Sequence, residues 1–140
     1  SDKAYRSLTK SWFQNSLLLD MNKTAQQKGY QLIITTDHGT INVEQPAKII
    51  GDRESSTNIR YKTGRRLKSD DKNVYMENLP NKIGLPSINL SSSYVFAKSN
   101  QYLIYPSNYN HFVKYYKNTY QHGGISLQEM FIPFSFFSPK

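Results

Sequence analysis

The chain has 140 residues, enough for one domain of ordinary size that buries a core without covalent cross-links. It contains no cysteine, which excludes disulfides and thiolate metal sites, so any metal must be held by His, Asp, Glu or backbone oxygen. No apolar run approaches the ~18–20 residues of a membrane span, so we expect no membrane insertion and a cytoplasmic protein.

The first predicted elements are a helix and a strand. Apolar residues recur at three-to-five-residue spacing from Trp12 to Ala25, and Gly29 follows where helices commonly end, which predicts an amphipathic helix over about 11–28. A short buried strand at 31–36 follows directly. Helix then buried strand is typical of the second half of a βαβ unit, so we predict a parallel sheet whose preceding strand lies upstream of Ser1. The unpaired edge would favour a homodimer.

The middle of the chain is rich in turns and charge. A second strand is predicted at 40–43, and Gly51 to Lys68 shows turn and charge signals without periodicity. Short strands are predicted at 74–76, 93–97 and 102–105, the last two as a hairpin. Residues 51–105 are therefore interpreted as a peripheral, irregular β-containing region.

Near the end of the chain, the sequence pattern leaves the structure of 108–121 open but predicts a short helix and a final strand after it. Residues 108–121 fit either a helix or irregular structure. Ser126 and Glu129 then fit a capping box for a short helix, which Pro133 would end before a final apolar strand.

The strand at 31–36 runs directly into Asp37-His38-Gly39. Side chains just past a strand of an open α/β sheet project into the binding crevice, and an adjacent carboxylate and imidazole suit zinc. Gly39 permits a sharp turn or a positive φ immediately afterwards. The alternative is that Asp37 caps a turn and His38 is a satisfied polar residue at the strand end.

A second candidate is His122-Gly123-Gly124, where two glycines after an imidazole let the backbone approach closely. The alternative is a flexible loop with a surface histidine. His111, which has aromatic neighbours in the sequence, is interpreted as a packing or surface residue.

Basic residues concentrate in one stretch. The chain carries 18 basic and 10 acidic residues, a net charge of +8, and half of this excess falls within Glu44–Lys68. Such a loop could attract a phosphate-bearing substrate, or it could be a solvated charged loop. Six tyrosines between Tyr102 and Tyr120 permit a nucleic-acid surface, although tyrosines more often serve packing. The candidate substrate-binding residues are Arg60, Lys62, Arg65 and Arg66.

Two motifs together resemble a known family. LIITTDHGT near the start and YQHGGISLQEMFIPF near the end, with TDHG and HGG about 85 residues apart, resemble the C-terminal motifs of the PglZ domain, a branch of the alkaline phosphatase superfamily. YKTGR and SSSYVFA add similarity to PorX-type response regulators. The resemblance spans essentially residues 1–140 and implies an alkaline-phosphatase-like α/β sheet with flanking helices, present only as its C-terminal part.

The resemblance also implies a two-zinc phosphoryl-transfer site. Asp37 and His38 would bind one metal and His122 the other, so the two motifs should converge in the fold. A nucleophilic Thr and the remaining ligands are expected upstream of Ser1, because two closed shells need about six to eight ligands. The chain, which lacks an initiator Met, is therefore expected to be an inactive fragment of a larger enzyme that also carries a receiver domain.

Two hypotheses of different class follow. In the first, the parent is a zinc-dependent phosphodiesterase or phosphatase of two-component signalling, acting on a phosphodiester or other phosphate-bearing substrate such as a nucleotide. In the second, the phosphatase-like framework is a non-catalytic binding module for nucleic acid or a regulatory protein partner.

Overall fold

The structure, a computed structural model, describes residues 2–52, 57–87 and 89–139. Helices and strands are interspersed along the chain, consistent with the predicted α/β class. In chain order they are α1 (Asp2–Gln14), α2 (Leu17–Gln27), β1 (Leu32–Thr35), β2 (Ile41–Val43), β3 (Gln45–Lys48), β4 (Tyr61–Arg65), β5 (Val74–Glu77), a 3₁₀ turn (Pro80–Ile83), β6 (Ser92–Ala97), β7 (Gln101–Ile104), α3 (Tyr109–Tyr116), β8 (Thr119–Gln121), α4 (Leu127–Met130) and β9 (Phe134–Phe137).

The chain divides into two compact units, Ser1–Thr36 with Pro133–Lys140, and Asp37–Ile132. No helix among the described residues combines the length and apolarity that a membrane crossing requires.

The first unit contains two helices where the sequence predicts one over 11–28. Ser16 adopts an extended backbone (φ −97°, ψ 152°) between α1 and α2. The Ser16 hydroxyl donates to the carbonyl of Phe13 (2.9 Å), and the side-chain amide of Asn15 donates to the carbonyl of Ser11 (2.8 Å). Such short polar side chains compete with the backbone for the carbonyls of a helix. The single-helix prediction is therefore wrong at residues 15–16.

Strand β1 lies where predicted, but its partner differs from the prediction. It pairs antiparallel with β9, so that Leu32 is opposite Phe137 and Thr35 is opposite Phe134. The Thr35 hydroxyl donates to the Pro133 carbonyl at 2.9 Å, which fixes one end of the pair. Within the described residues β1 is mostly exposed and has no parallel neighbour, so the predicted buried parallel strand is not observed there.

The described residues of the second unit form three small sheets. Strand β6 lies between β4 and β5, antiparallel to both, while β3 pairs parallel with β7 and β2 pairs antiparallel with β8. Both edges of β6 are thus occupied by β4 and β5, and β7 pairs with β3 instead of β6. The predicted hairpin between 93–97 and 102–105 is wrong for this reason.

Two apolar clusters form the core of the second unit. The larger consists of Ala47, Ile49, Leu67, Val74, Val95, Ala97 and Leu103. The smaller consists of Ile41, Val43, Ile59, Tyr102 and Ile104, with Tyr109, Phe112, Val113 and Tyr116 of helix α3 packed against it. Strands β5, β6 and β7 of the region at 51–105 supply much of this core, and the peripheral placement of that region in the whole domain stays a prediction. Residues 53–56 and 88 of that region lie outside the described residues.

The end of the second unit agrees with the sequence pattern. Residues 109–116 form a helix, which resolves the open choice over 108–121, and a capping box precedes α4 with Ser126 and Glu129 in the expected positions.

Candidate functional site

His38 and His122 lie face to face in the second unit. Their ring centroids are 3.7 Å apart and their planes differ by 11°. Because about 85 residues separate them in sequence, the fold makes this contact. The predicted convergence of the two motifs is confirmed.

The His38 ring is oriented by the residue that follows it. Its Nδ1 lies 2.9 Å from the carbonyl oxygen of Gly39. A carbonyl oxygen only accepts, so Nδ1 is the donor in this contact. Nε2 is 3.7 Å from Oδ1 of Asp37. The Asp37 side chain is 87% exposed and that of His38 is 38% exposed, so solvent reaches both.

Gly39 packs closely against helix α4. Its N–H donates to the carbonyl of Glu129 at 2.9 Å. A Cβ at this position would overlap the carbonyl oxygen of Gln128 and lie 3.2 Å from that of Phe131. The residue is not in the left-handed region, so close approach of two backbones, rather than a positive φ, requires glycine here.

A buried ion pair lies behind the second motif. Arg60 and Glu129 are almost wholly buried, with Nε to Oε1 and Nη2 to Oε2 distances of 2.8 Å each. Nη1 also donates to the carbonyl of Gln101, and Nη2 donates to the carbonyls of Ala97 and Ser99. Such a bidentate, charge-assisted pair fixes the geometry of both partners. It joins residues that are 69 positions apart in the chain.

The Glu129 carboxylate also organises the loop that follows His122. It accepts the N–H of Gly124 (2.9 Å) and both the N–H (3.2 Å) and the hydroxyl (2.5 Å) of Ser126. Burial raises the pKa of this carboxyl, but the hydrogen bonds from Arg60, Ser126 and Gly124 outweigh burial and hold the pKa below its ordinary value. Glu129 is therefore a carboxylate at neutral pH.

Asn58 connects this ion pair to His122. Its Nδ2 donates to the carbonyl of His122 at 3.1 Å. Its Oδ1 accepts the N–H of Arg60 at 2.7 Å and that of Tyr61 at 3.2 Å. One side chain thus joins the His122 loop to the start of β4.

The predicted basic residues fall into two groups. Arg60 and Lys62 are buried, and the Lys62 ammonium lies 5.5 Å from the Tyr105 ring centroid, beside a cavity of about 310 Å³. Arg65 and Arg66 are exposed. The alternative of a solvated loop does not hold for Arg60 and Lys62, whose side chains are buried, and the substrate-binding role of the four residues stays a prediction. Residues 53–56 of the predicted loop lie outside the described residues.

The tyrosines of the C-terminal half mainly pack. Tyr102 is fully buried and donates its hydroxyl to the Val113 carbonyl at 2.7 Å, and burial raises its pKa. Tyr109 and Tyr116 pack against the same cluster. These three residues fit the packing alternative rather than a nucleic-acid surface.

A comparison with known families identifies the framework that holds these residues. The model of the BREX system PglZ alkaline phosphatase-like domain matches residues 2–136. The chain belongs to the PglZ family. No curated protein matches it. The match covers both motifs and the intervening strands, so the alkaline phosphatase-like and phosphoesterase-type character of the family applies to the framework around His38 and His122.

The two motifs contain side chains of the kinds that bind metals. Zinc accepts imidazole nitrogen and carboxylate oxygen, which His38, His122 and Asp37 supply. Across residues 2–52, 57–87 and 89–139, no group of three or more His, Asp or Glu side chains is arranged to hold a metal ion. The role of Asp37, His38 and His122 as metal ligands therefore stays a prediction.

The sequence pattern does not identify the residues that support this PglZ site. Asn58 stands in no motif, and the spacing around Glu129 predicts only a capping role. A two-residue strand period would have placed Lys62 and Gly64 of β4, with Arg60 just before the strand, on one face, which is the buried face.

Proposed function

We propose that this chain is the C-terminal part of a zinc-dependent phosphodiesterase or phosphatase domain. In the full protein the domain would also contain a nucleophilic Thr and further ligands, and it would be joined to the receiver of a cytoplasmic response regulator. The observation that carries the proposal is the stacked His38–His122 pair beside Asp37.

The stacked rings place both imidazoles at one site, as a shared two-metal site would require. The Nδ1 hydrogen bond to Gly39 leaves Nε2 of His38 as the donor atom, next to the Asp37 carboxylate. His38 and Asp37 would thus bind one ion and His122 the other.

Each residue has a defined part in the proposed reaction. When bound, paired zinc ions stabilise the attacking and leaving oxygens of an in-line phosphoryl transfer. Asp37 adds negative charge that retains a divalent cation, and the Gly39 carbonyl holds the His38 ring in one tautomer. Arg65 and Arg66, which are exposed, would attract an anionic substrate such as a nucleotide.

Metal removal tests the proposal directly. We expect a protein that carries the whole domain to hydrolyse bis(p-nitrophenyl) phosphate, to lose this activity on treatment with a chelator, and to regain it with zinc. The 140-residue chain alone should show no hydrolysis, because a missing nucleophile removes orders of magnitude of rate. Undiminished hydrolysis by the chelated protein would refute the zinc requirement.

Charge reversal at the exposed arginines tests substrate attraction. We expect Arg65→Glu and Arg66→Glu in the whole domain to raise KM for an anionic substrate at low salt, with a smaller effect at ~1 M salt, where screening is strong. The reversal Lys48→Glu, at another exposed position of the same unit, is the matched control. A KM that responds equally to salt in all of these variants and in wild type would remove the arginines from the site.

A further inference from the structure

We propose that Asn58, Arg60 and Glu129 are positioning residues that hold the imidazoles of His38 and His122 in register. The assignment of these histidines to a metal site rests on the proposed function. The positioning role itself is inferred from the contacts of the buried ion pair.

The first connection runs from the ion pair to His122. The backbone N–H of Arg60 and the carbonyl of His122 are both bound by the Asn58 side chain. On the other side of the loop, Glu129 accepts the N–H of Gly124, two residues after His122. The backbone is therefore held at the His122 carbonyl and again two residues later, although the His122 side chain is exposed.

The second connection runs from the ion pair to His38. Glu129 contributes its backbone carbonyl to the N–H of Gly39, while its side chain is held by Arg60. Gly39 in turn provides the carbonyl that orients the His38 ring. A single residue, Glu129, thus contacts the backbone beside each histidine.

The glycines of the two motifs show how little space this arrangement leaves. A Cβ on Gly124 would lie 2.7 Å from Oε2 of Glu129 and 3.0 Å from Nε of Arg60. A Cβ on Gly39 would meet the carbonyl of Gln128. Both motifs require glycine where they pass the ion pair or the helix segment that carries Glu129, so the ion pair and the histidine turns form one packed structure.

Asn58→Asp tests the connection to His122 with little change of shape. The aspartate keeps an oxygen for the N–H groups of Arg60 and Tyr61 but has no N–H for the His122 carbonyl. Asn89→Asp is the matched control, since Oδ1 of Asn89 likewise accepts a backbone N–H, that of Ser91 at 3.1 Å. The second test variant is Glu129→Gln, which removes the negative charge of the ion pair and leaves the positive charge of Arg60.

Two measurements on the 140-residue chain separate positioning from general stability. The first is the nuclear Overhauser effect between the ring protons of His38 and His122 in the metal-free protein, with His111, the third histidine, as reference. The second is zinc affinity by titration with zinc chloride. In Asn58→Asp we expect the ring-to-ring signal to disappear and zinc to bind about 10- to 100-fold more weakly, with unchanged His111 signals. Asn89→Asp should match wild type in both.

The outcomes distinguish this inference from the proposed function. A ring-to-ring signal that persists in Asn58→Asp, or that is absent from wild type, overturns the positioning role. If wild type shows the signal but binds no zinc, the signal alone decides the positioning role, and the zinc proposal is decided by chelation of the whole domain. If Glu129→Gln does not fold, the ring-to-ring signal of Asn58→Asp decides the positioning role.

Discussion

We expect alanine at His38 or at His122 to abolish the proposed metal-dependent hydrolysis in a protein that carries the whole PglZ domain. Each substitution removes an imidazole of the proposed ligand set, and since outer-shell substitutions alone cost about 10- to 100-fold, we expect a loss of more than about 100-fold. The fold should persist, because the side chain of His122 is exposed and that of His38 is only partly buried. The measurements are kcat and bound zinc per chain.

His111→Ala is the matched control for these two variants. His111 is exposed on helix α3, where its ring contacts Phe112 and Tyr115 instead of His122. It should retain wild-type zinc content and kcat. Asp37→Asn keeps the shape of the side chain but removes its charge. Like His38→Ala, it should lower the affinity for zinc. Full activity in both alanine variants would show that the two imidazoles are not metal ligands.

Local sequence pattern was enough to predict several elements correctly. The strand expected at 40–43 is Ile41–Val43, and the capping box at Ser126 and Glu129 is formed. These features depend on side chains within a few residues of each other, where spacing determines which groups can meet.

Pairing between distant segments was not predictable in the same way. β1 and β9 were both expected as strands, but spacing contains no information on their antiparallel pairing across the length of the chain. Likewise β6 and β7 follow each other closely, yet β6 has both edges occupied by β4 and β5. The resemblance to a family, rather than periodicity, predicted that His38 and His122 would meet.

The sequence did not identify Arg60 as a buried residue, because it lies in the charged stretch Glu44–Lys68. Arg60 stands among other basic residues, which is the composition of a solvated loop. Its burial depends on Glu129 and on the three carbonyls that it caps, all of which are at least 37 positions away. Only the tertiary structure shows that this arginine is compensated.

Leucine at Glu129 or at Arg60 destabilises the chain by about 3–5 kcal/mol, because either change leaves one buried charge without its partner. Unfolding in urea, followed by circular dichroism, measures this free energy. Glu44→Leu is the matched control: Glu44 is exposed and bonds Asn100 at 3.0 Å, so we expect a change within about 0.5 kcal/mol.

The double variant Arg60→Leu/Glu129→Leu separates the pair from its surroundings. We expect it to cost less than the sum of the single variants by ~0.5–3 kcal/mol, because no uncompensated charge remains. Some cost persists, since the carbonyls of Ala97, Ser99 and Gln101 lose their donor. Strict additivity of the two substitutions would show that the ion pair makes no energetic contribution of its own.

Acid should remove the contribution of Glu129 to stability. The folded chain holds the pKa of this carboxyl below its ordinary value of 4.5. The unfolded chain therefore takes up the proton first, so the stabilisation is fully present above pH 4.5 and disappears as the pH falls through the lower folded pKa. The Glu129→Gln variant has no carboxyl that titrates at this position. The difference in unfolding free energy between wild type and this variant should therefore become smaller in acid. Urea titrations from about pH 7 downward measure it, and a difference that stays constant across this range would show that Glu129 is not the titrating group.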